Sequence, residues 1–205
     1  VQYEADPRHA EILIRELGLD EAKAVSSPGN KEEGRTKEDS QVALDEHHAG
    51  LYRGMTARLN YLAADRADVA FAVKELARSM SAPTRGCWDR LKRMGRYLIS
   101  KPRAVVNLKW QTCPARLTAY TDADWAGCPH SRKSTSGVLI QLLGSAIHWS
   151  SKTQEVLALS SRESELYAIC SGAVDSIFVK NFLEETKLCK KAMIRINTCL
   201  LYTSD

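Results

Sequence analysis

The spacing of apolar residues changes character at Pro102, and that change decides what the chain can fold into. Before it, Leu51, Met55, Leu59 and Leu62 recur at the period of one helix face. Val69, Val73, Leu76 and Met80 repeat the pattern up to Pro83, which cannot continue a helix. Trp88, Leu91, Met94 and Leu98 mark a third helix, and short links predict that the three pack as a small bundle. After Pro102 the runs are strand-like: 105–110, 117–121, 137–143 and 146–150, the last two joined by a hairpin signal at Gly144-Ser145. Residues 156–159 read as a further strand. Ser160-x-x-Glu163 is a capping box, in which hydroxyl and carboxylate satisfy each other's backbone amides at a helix start. The helix it opens carries Leu166, Ile169, Cys170, Ala173, Ile177 and Phe182 as its apolar face. Residues 193–196 supply a last strand. Antiparallel strands followed by a long helix predict an α+β class with a mixed sheet.

The start of the chain is helical as well. Asp6-Pro7 opens a short helix over 7–17, and Gly18 stops it. Residues 24–50 are polar and lack periodicity, as a linker would. The organisation expected is therefore a helical segment at 1–23, a linker at 24–50, a helical segment at 51–104, a sheet domain at 105–198 and an atypical tail at 199–205. Charge follows these divisions. Residues 1–51 hold 12 Asp and Glu against 6 Lys and Arg, whereas residues 52–104 hold 12 Lys and Arg against 4 acids. Arg90, Lys92, Arg93 and Arg96 concentrate the basic charge on the third helix, the footprint expected for phosphate backbones, although a solvated helix face gives the same pattern. Six cysteines without a CxxC pair or metal-ligand spacing predict reduced thiols in a cytoplasmic or nuclear setting. The apolar runs read as too short to span a bilayer, so no membrane partner is expected.

Two places concentrate carboxylates. Tyr120-Thr121-Asp122-Ala123-Asp124 ends an otherwise apolar strand, and residues two apart share a strand face. Glu163 and Glu165 lie in the first turn of the long helix. An acid there suits the helix dipole, which accounts for Glu163 without further function. Glu165 lines up with Ala168, Ile169 and Gly172 and should face the sheet. A helix carboxylate directed at strand-end aspartates is an arrangement that binds Mg²⁺, a hard ion that takes oxygen ligands.

At these residues the sequence resembles the C-terminal part of copia-type retrotransposon Pol polyproteins, from the end of the reverse transcriptase into the ribonuclease H domain. The resemblance rests on Tyr52-Arg53-Gly54, Leu59-Asn60-Tyr61-Leu62, 68–73, 80–84 and Arg96-Tyr97-Leu98. It continues through 120–127, Arg132-Lys133-Ser134-Thr135-Ser136-Gly137, 149–154, and 158–161 running into 163–168. It implies a ribonuclease H-like sheet with a long helix, and hydrolysis of the RNA strand of RNA–DNA hybrids with two Mg²⁺ and no small-molecule cofactor. Asp122 and Glu165 take the places of the family's catalytic, metal-binding carboxylates. Asp124 and Glu163 are supporting neighbours at most. The basic helices, with Arg132 and Lys133, would contact the hybrid, and the remainder of the polyprotein is the other partner implied.

The sequence also departs from the family. The third carboxylate should follow the strand at 193–197, but Thr198-Cys199-Leu200-Leu201 stands there, and Asp205 comes about seven residues late. The expectation is a C-terminally incomplete sheet domain whose activity is weak or absent. Two other readings stay open: a non-catalytic nucleic-acid-binding remnant of a retroelement, and a chain that never folds stably.

Overall fold

A computed structural model of the protein describes residues 1–29, 40–108, 110, 116–128 and 131–198. The chain forms two compact units: Tyr3–Val105, and Val106–Asp205 together with Val1–Gln2. In chain order the elements are β1 (Gln2–Glu4), α1 (Arg8–Glu16), α2 (Glu46–Asp65), α3 (Ala67–Ala77), α4 (Arg85–Ser100), β2 (Val105–Asn107) and β3 (Arg116–Asp124). There follow β4 (Thr135–Leu142), β5 (Ser145–Thr153), α5 (Ser161–Glu185) and β6 (Met193–Thr198). The expected tail at 199–205, and 30–39 of the expected linker, lie outside the described residues.

The first unit is helical. Asp6 accepts from the Arg8 amide at the start of α1, and Gly18, at φ 61°, ends the helix in the left-handed region that glycine tolerates. The linker expected over 24–50 is shorter than its sequence suggested. α2 begins at Glu46 because Asp45 accepts from the His48 amide at 2.9 Å, a cap hidden in a run of polar residues. α3 ends at Ala77, before Met80 and Pro83. Most of the periodic residues meet: Met55, Leu59, Leu62, Val69, Val73, Leu76, Leu91, Met94 and Leu98 are buried in one core with Leu13 and Tyr52, while Leu51, Met80 and Trp88 pack against it partly buried. Arg66, between α2 and α3, is 2% exposed. It donates to both Asp68 carboxylate oxygens and to the Lys101 carbonyl, while the Tyr97 hydroxyl also donates to Asp68. A buried cation is tolerable only when paired and bonded in this way. Burial pushes the Asp68 carboxyl up, but the bonds from Arg66 and Tyr97 prevail and hold it below the usual carboxylate range.

The second unit carries a four-stranded sheet in the order β5-β4-β3-β6. β3 pairs antiparallel with β4, β4 antiparallel with β5, and β3 parallel with β6. This is a mixed α+β arrangement with a long helix, consistent with the ribonuclease H-like fold that the resemblance implies. The β4–β5 hairpin turns on Leu143 and Gly144, both at positive φ, one residue earlier than expected. Residues 156–159 are not a strand. Val156, Leu157 and Leu159 are exposed and only Ala158 is buried, and the backbone there serves other bonds: the Ala158 carbonyl accepts from Trp125 Nε1, and the Leu159 amide donates to Glu163.

α5 packs on the sheet with an unexpected face. Leu166, Ile177 and Phe182 point outward, and Cys170 is exposed with them. The buried side is Ser164, Glu165, Ala168, Gly172, Ser176 and Leu183. Its small side chains allow the helix to approach β3 so closely that a Cβ on Gly172 would collide with Thr121 Cγ2. Leu117, Ala119, Val138, Ile140 and Leu183 form the core between helix and sheet. By length and composition alone α5 could cross a membrane, which corrects the expectation that no segment could. Its outward apolar residues produce that composition, while its polar and small side is seated on the sheet.

Gly172→Ala tests this close approach. In an unobstructed helix the change gains about 1 kcal/mol. Here overpacking against a stiff β-branched residue should cost about 1–3 kcal/mol and reverse the sign. Urea unfolding should show a net loss, and Thr121→Ser, which removes Cγ2, should recover it in the double variant.

Candidate functional site

Glu165 is placed by two features of its helix. Ser160 caps the start by accepting from the Glu163 amide at 3.2 Å, and the small face then turns the side chain at 165 toward the strands. Glu165 as a whole residue is 6% exposed. Its Oε1 accepts from the Ala123 amide at 3.2 Å and its Oε2 from the Thr198 hydroxyl at 3.4 Å. Thr121 and Thr198 form the last described rung between β3 and β6. The Ala123 amide lies beyond that rung, and the carboxylate serves as its acceptor. Burial pushes the Glu165 carboxyl above the usual range. The Ala123 amide opposes this, the nearby Asp122 charge adds to it, and the Thr198 hydroxyl opposes it.

The other three carboxylates differ in their surroundings. Asp122 belongs to the exposed set of β3 that alternates with buried Leu117, Ala119 and Thr121. Its charge adds to the rise at Glu165, and it lies next in sequence to Ala123, whose amide Glu165 accepts. Asp124 accepts from the Thr135 amide, and a Cβ on Gly127 would collide with its carboxylate, so it closes the turn after β3. Glu163 accepts from the Leu159 amide at 2.7 Å and from the Tyr167 hydroxyl at 3.2 Å. Asp124 and Glu163 are thus engaged by local backbone.

Polar residues to which the sequence reading assigned no role build the frame around this pair. Ser134 accepts from the Ala126 amide, and its carbonyl accepts from the Gln154 amide. Gln154 donates from its side chain to Ser136 and to the Ser164 carbonyl. Gln154 stood within a family motif, but its only available signal was an amide at the end of an apolar strand run, a pattern shared by many surface strands.

The basic residues fall into two groups. On α4, Arg90 donates to the Gly86 carbonyl at 3.4 Å, and Arg96 Nε donates to the Lys23 carbonyl at 2.6 Å. Lys92 stands 5.8 Å from the Trp88 ring centre, in cation–π range, and Arg93 Nε is buried. Much of this charge is therefore engaged within the helical unit. Arg132 and Lys133 lie in the turn before β4, closed by bonds between Cys128 and the backbone of both residues. Arg132 is exposed at φ 55°.

Asp122 and Glu165 supply oxygen donors of the kind a hard cation takes, and Mg²⁺ is commonly held by one or two carboxylates together with water and substrate phosphate. Among the described residues, no group of three or more His, Cys, Asp or Glu is placed to hold a metal ion.

Comparison with known proteins gives a consistent neighbourhood. The chain is 37% identical over 134 residues to the retrovirus-related Pol polyprotein from transposon RE2 of Arabidopsis thaliana, covering 65% of this chain and 9% of that protein. It is 29% identical over 197 residues to the retrovirus-related Pol polyprotein from transposon TNT 1-94 of Nicotiana tabacum, covering 91% of this chain and 14% of that protein. It is also 38% identical over 122 residues to the secreted RxLR effector protein 161 of Plasmopara viticola, covering 60% of this chain and 85% of that protein. The chain thus spans only a small part of the Pol polyproteins it matches. No family model matches it, and no solved structure does.

The raised Glu165 value makes a signed prediction. The folded state favours the protonated form, so the stability it contributes is full below the unfolded value of 4.5 and is lost as pH rises through the folded value. Glu165→Gln keeps an acceptor for the Ala123 amide and carries no charge. In denaturant unfolding it should be more stable than the parent at neutral pH and equal to it below 4.5.

Proposed function

We propose that the sheet unit is the ribonuclease H region of a retrotransposon Pol polyprotein, a reading supported by the similarity of most of the chain to such polyproteins. Its substrate class is the RNA–DNA hybrid and its reaction is hydrolysis of the RNA strand. The observation that carries this reading is Glu165: a buried residue whose carboxylate is held against β3 by the Ala123 amide and meets the Thr198 hydroxyl, next to Asp122 at the strand end. A buried carboxylate bonded to strand backbone, near a second one at the strand end, is the kind of arrangement that functional sites use.

Asp122 and Glu165 would hold Mg²⁺, which would polarise the scissile phosphate and lower the pKa of an attacking water. The Ala123 amide and the Thr198 hydroxyl orient the Glu165 carboxylate and fix where its oxygens present themselves. Asp124 and Glu163 support the site indirectly, by closing the turn after β3 and capping α5. With two carboxylates for the metal among the described residues, the expected activity is weak. Arg132 and Lys133 in the sheet unit contact the hybrid's phosphates, whereas the α4 cations Arg90, Lys92, Arg93 and Arg96, largely engaged within the helical unit, contribute less. Such contacts are sequence-independent and weaken steeply with salt.

A labelled RNA–DNA hybrid incubated with the purified chain tests the reading. Slow cleavage that needs Mg²⁺ and disappears in both Asp122→Asn and Glu165→Gln is the expected result. Hybrid binding without any metal-dependent cleavage would instead support a non-catalytic nucleic-acid-binding role.

A further inference from the structure

We propose that Gln154 is the positioning residue that sets where Glu165 sits, by tying the first turn of α5 to β4 on the rung that Glu165 itself contacts. Its value for hydrolysis rests on the proposed function, whereas its structural half stands without it.

Gln154 follows directly on β5 and is 7% exposed. Its backbone amide donates to the Ser134 carbonyl at 2.8 Å, which fixes its own position at the entrance to β4. Its side-chain Nε2 donates to Ser136 Oγ at 2.9 Å and to the Ser164 carbonyl at 2.8 Å. Ser164 immediately precedes Glu165. Ser136 is the register partner of Ala123, whose amide donates to Glu165. A circuit therefore closes from Gln154 through Ser136, Ala123 and Glu165 to Ser164 and back to Gln154. The Ser160–Glu163 cap ties the helix start only to the preceding loop. The Gln154 bonds tie it to the sheet.

Chemistry fixes the orientation of the amide. Turning it over would set Oε1 against the Ser164 carbonyl, two acceptors in contact. In the orientation observed, Oε1 is buried without a hydrogen-bond partner. A buried orphan acceptor is a cost that an apolar side chain of similar length would avoid. Space filling therefore does not explain an amide here, whereas a helix that must hold a carboxylate in a set place does.

The test is Gln154→Met in the full chain, which keeps the length and removes both donors. Amide hydrogen exchange is followed residue by residue. The Ala123 amide should exchange at least about tenfold faster, while the amides of the β4–β5 hairpin keep their protection. Ser136→Ala should shift Ala123 in the same direction by less, and the double variant should go no further than Gln154→Met, because both act on one circuit. If Gln154→Met does not fold, Ser136→Ala carries the same test. Unchanged protection at Ala123, or uniform loss across the sheet, would overturn the proposal. In the hybrid assay, Gln154→Met should lower kcat by about tenfold or more with KM unchanged. A parent chain that cleaves nothing would count against the proposed function alone, and the Ala123 exchange would still decide the role of Gln154.

Discussion

The bond from the Ala123 amide to Glu165 exists only because α5 lies close enough to β3 for a side chain in its first turn to reach the strand backbone. That closeness comes from the small residues on the buried side of the helix, Ala168, Gly172 and Ser176, set against Thr121, Val138 and their neighbours. A helix with bulky residues on that side would stand farther off, and a glutamate at the same place would end in solvent. The site is thus a consequence of how tightly two elements pack, more than of any one residue in it. The larger apolar residues of α5 point away from the sheet for the same reason.

This explains what could be read from the sequence and what could not. The α+β class, the long helix and its cap at Ser160 were all legible, because periodicity and capping chemistry are local signals. The facing of α5 was not. The rule that large apolar residues mark the buried side fails when close approach demands small ones, and Leu166 and Phe182 misled for that reason. Glu165 was nevertheless directed correctly at the sheet, because it shares a side with Ala168 and Gly172. The strand expected at 156–159 was misread because its apolar residues serve a loop whose backbone bonds are made to Trp125 and Glu163. Gln154 was not legible as a positioning candidate, since its partners Ser136 and Ser164 are brought together only by the tertiary fold.

The helical unit makes the complementary point about charge. Counted along the chain, its arginines form a basic block that suggests phosphate contacts. In the fold, Arg66 is sealed beneath Tyr97 and Asp68, and Arg96 is bonded to the Lys23 carbonyl. Cations used in this way support the architecture and are less available to a ligand. The exposed cation at Arg132 has fewer such obligations and lies in the same unit as Asp122 and Glu165. Sequence charge therefore overstates the basic surface of the first unit and says little about that of the second.

The central claim is that Asp122 and Glu165 act together as ligands for one divalent cation. The most direct measurement is an NMR titration of the labelled chain with Mg²⁺, following the Ala123 amide and the Glu165 carboxyl carbon. A saturable shift of both signals, abolished in Asp122→Asn and absent from the α4 resonances, is the result predicted. Signals at Ala123 and Glu165 that do not respond to Mg²⁺, or that respond equally in Asp122→Asn, would contradict it.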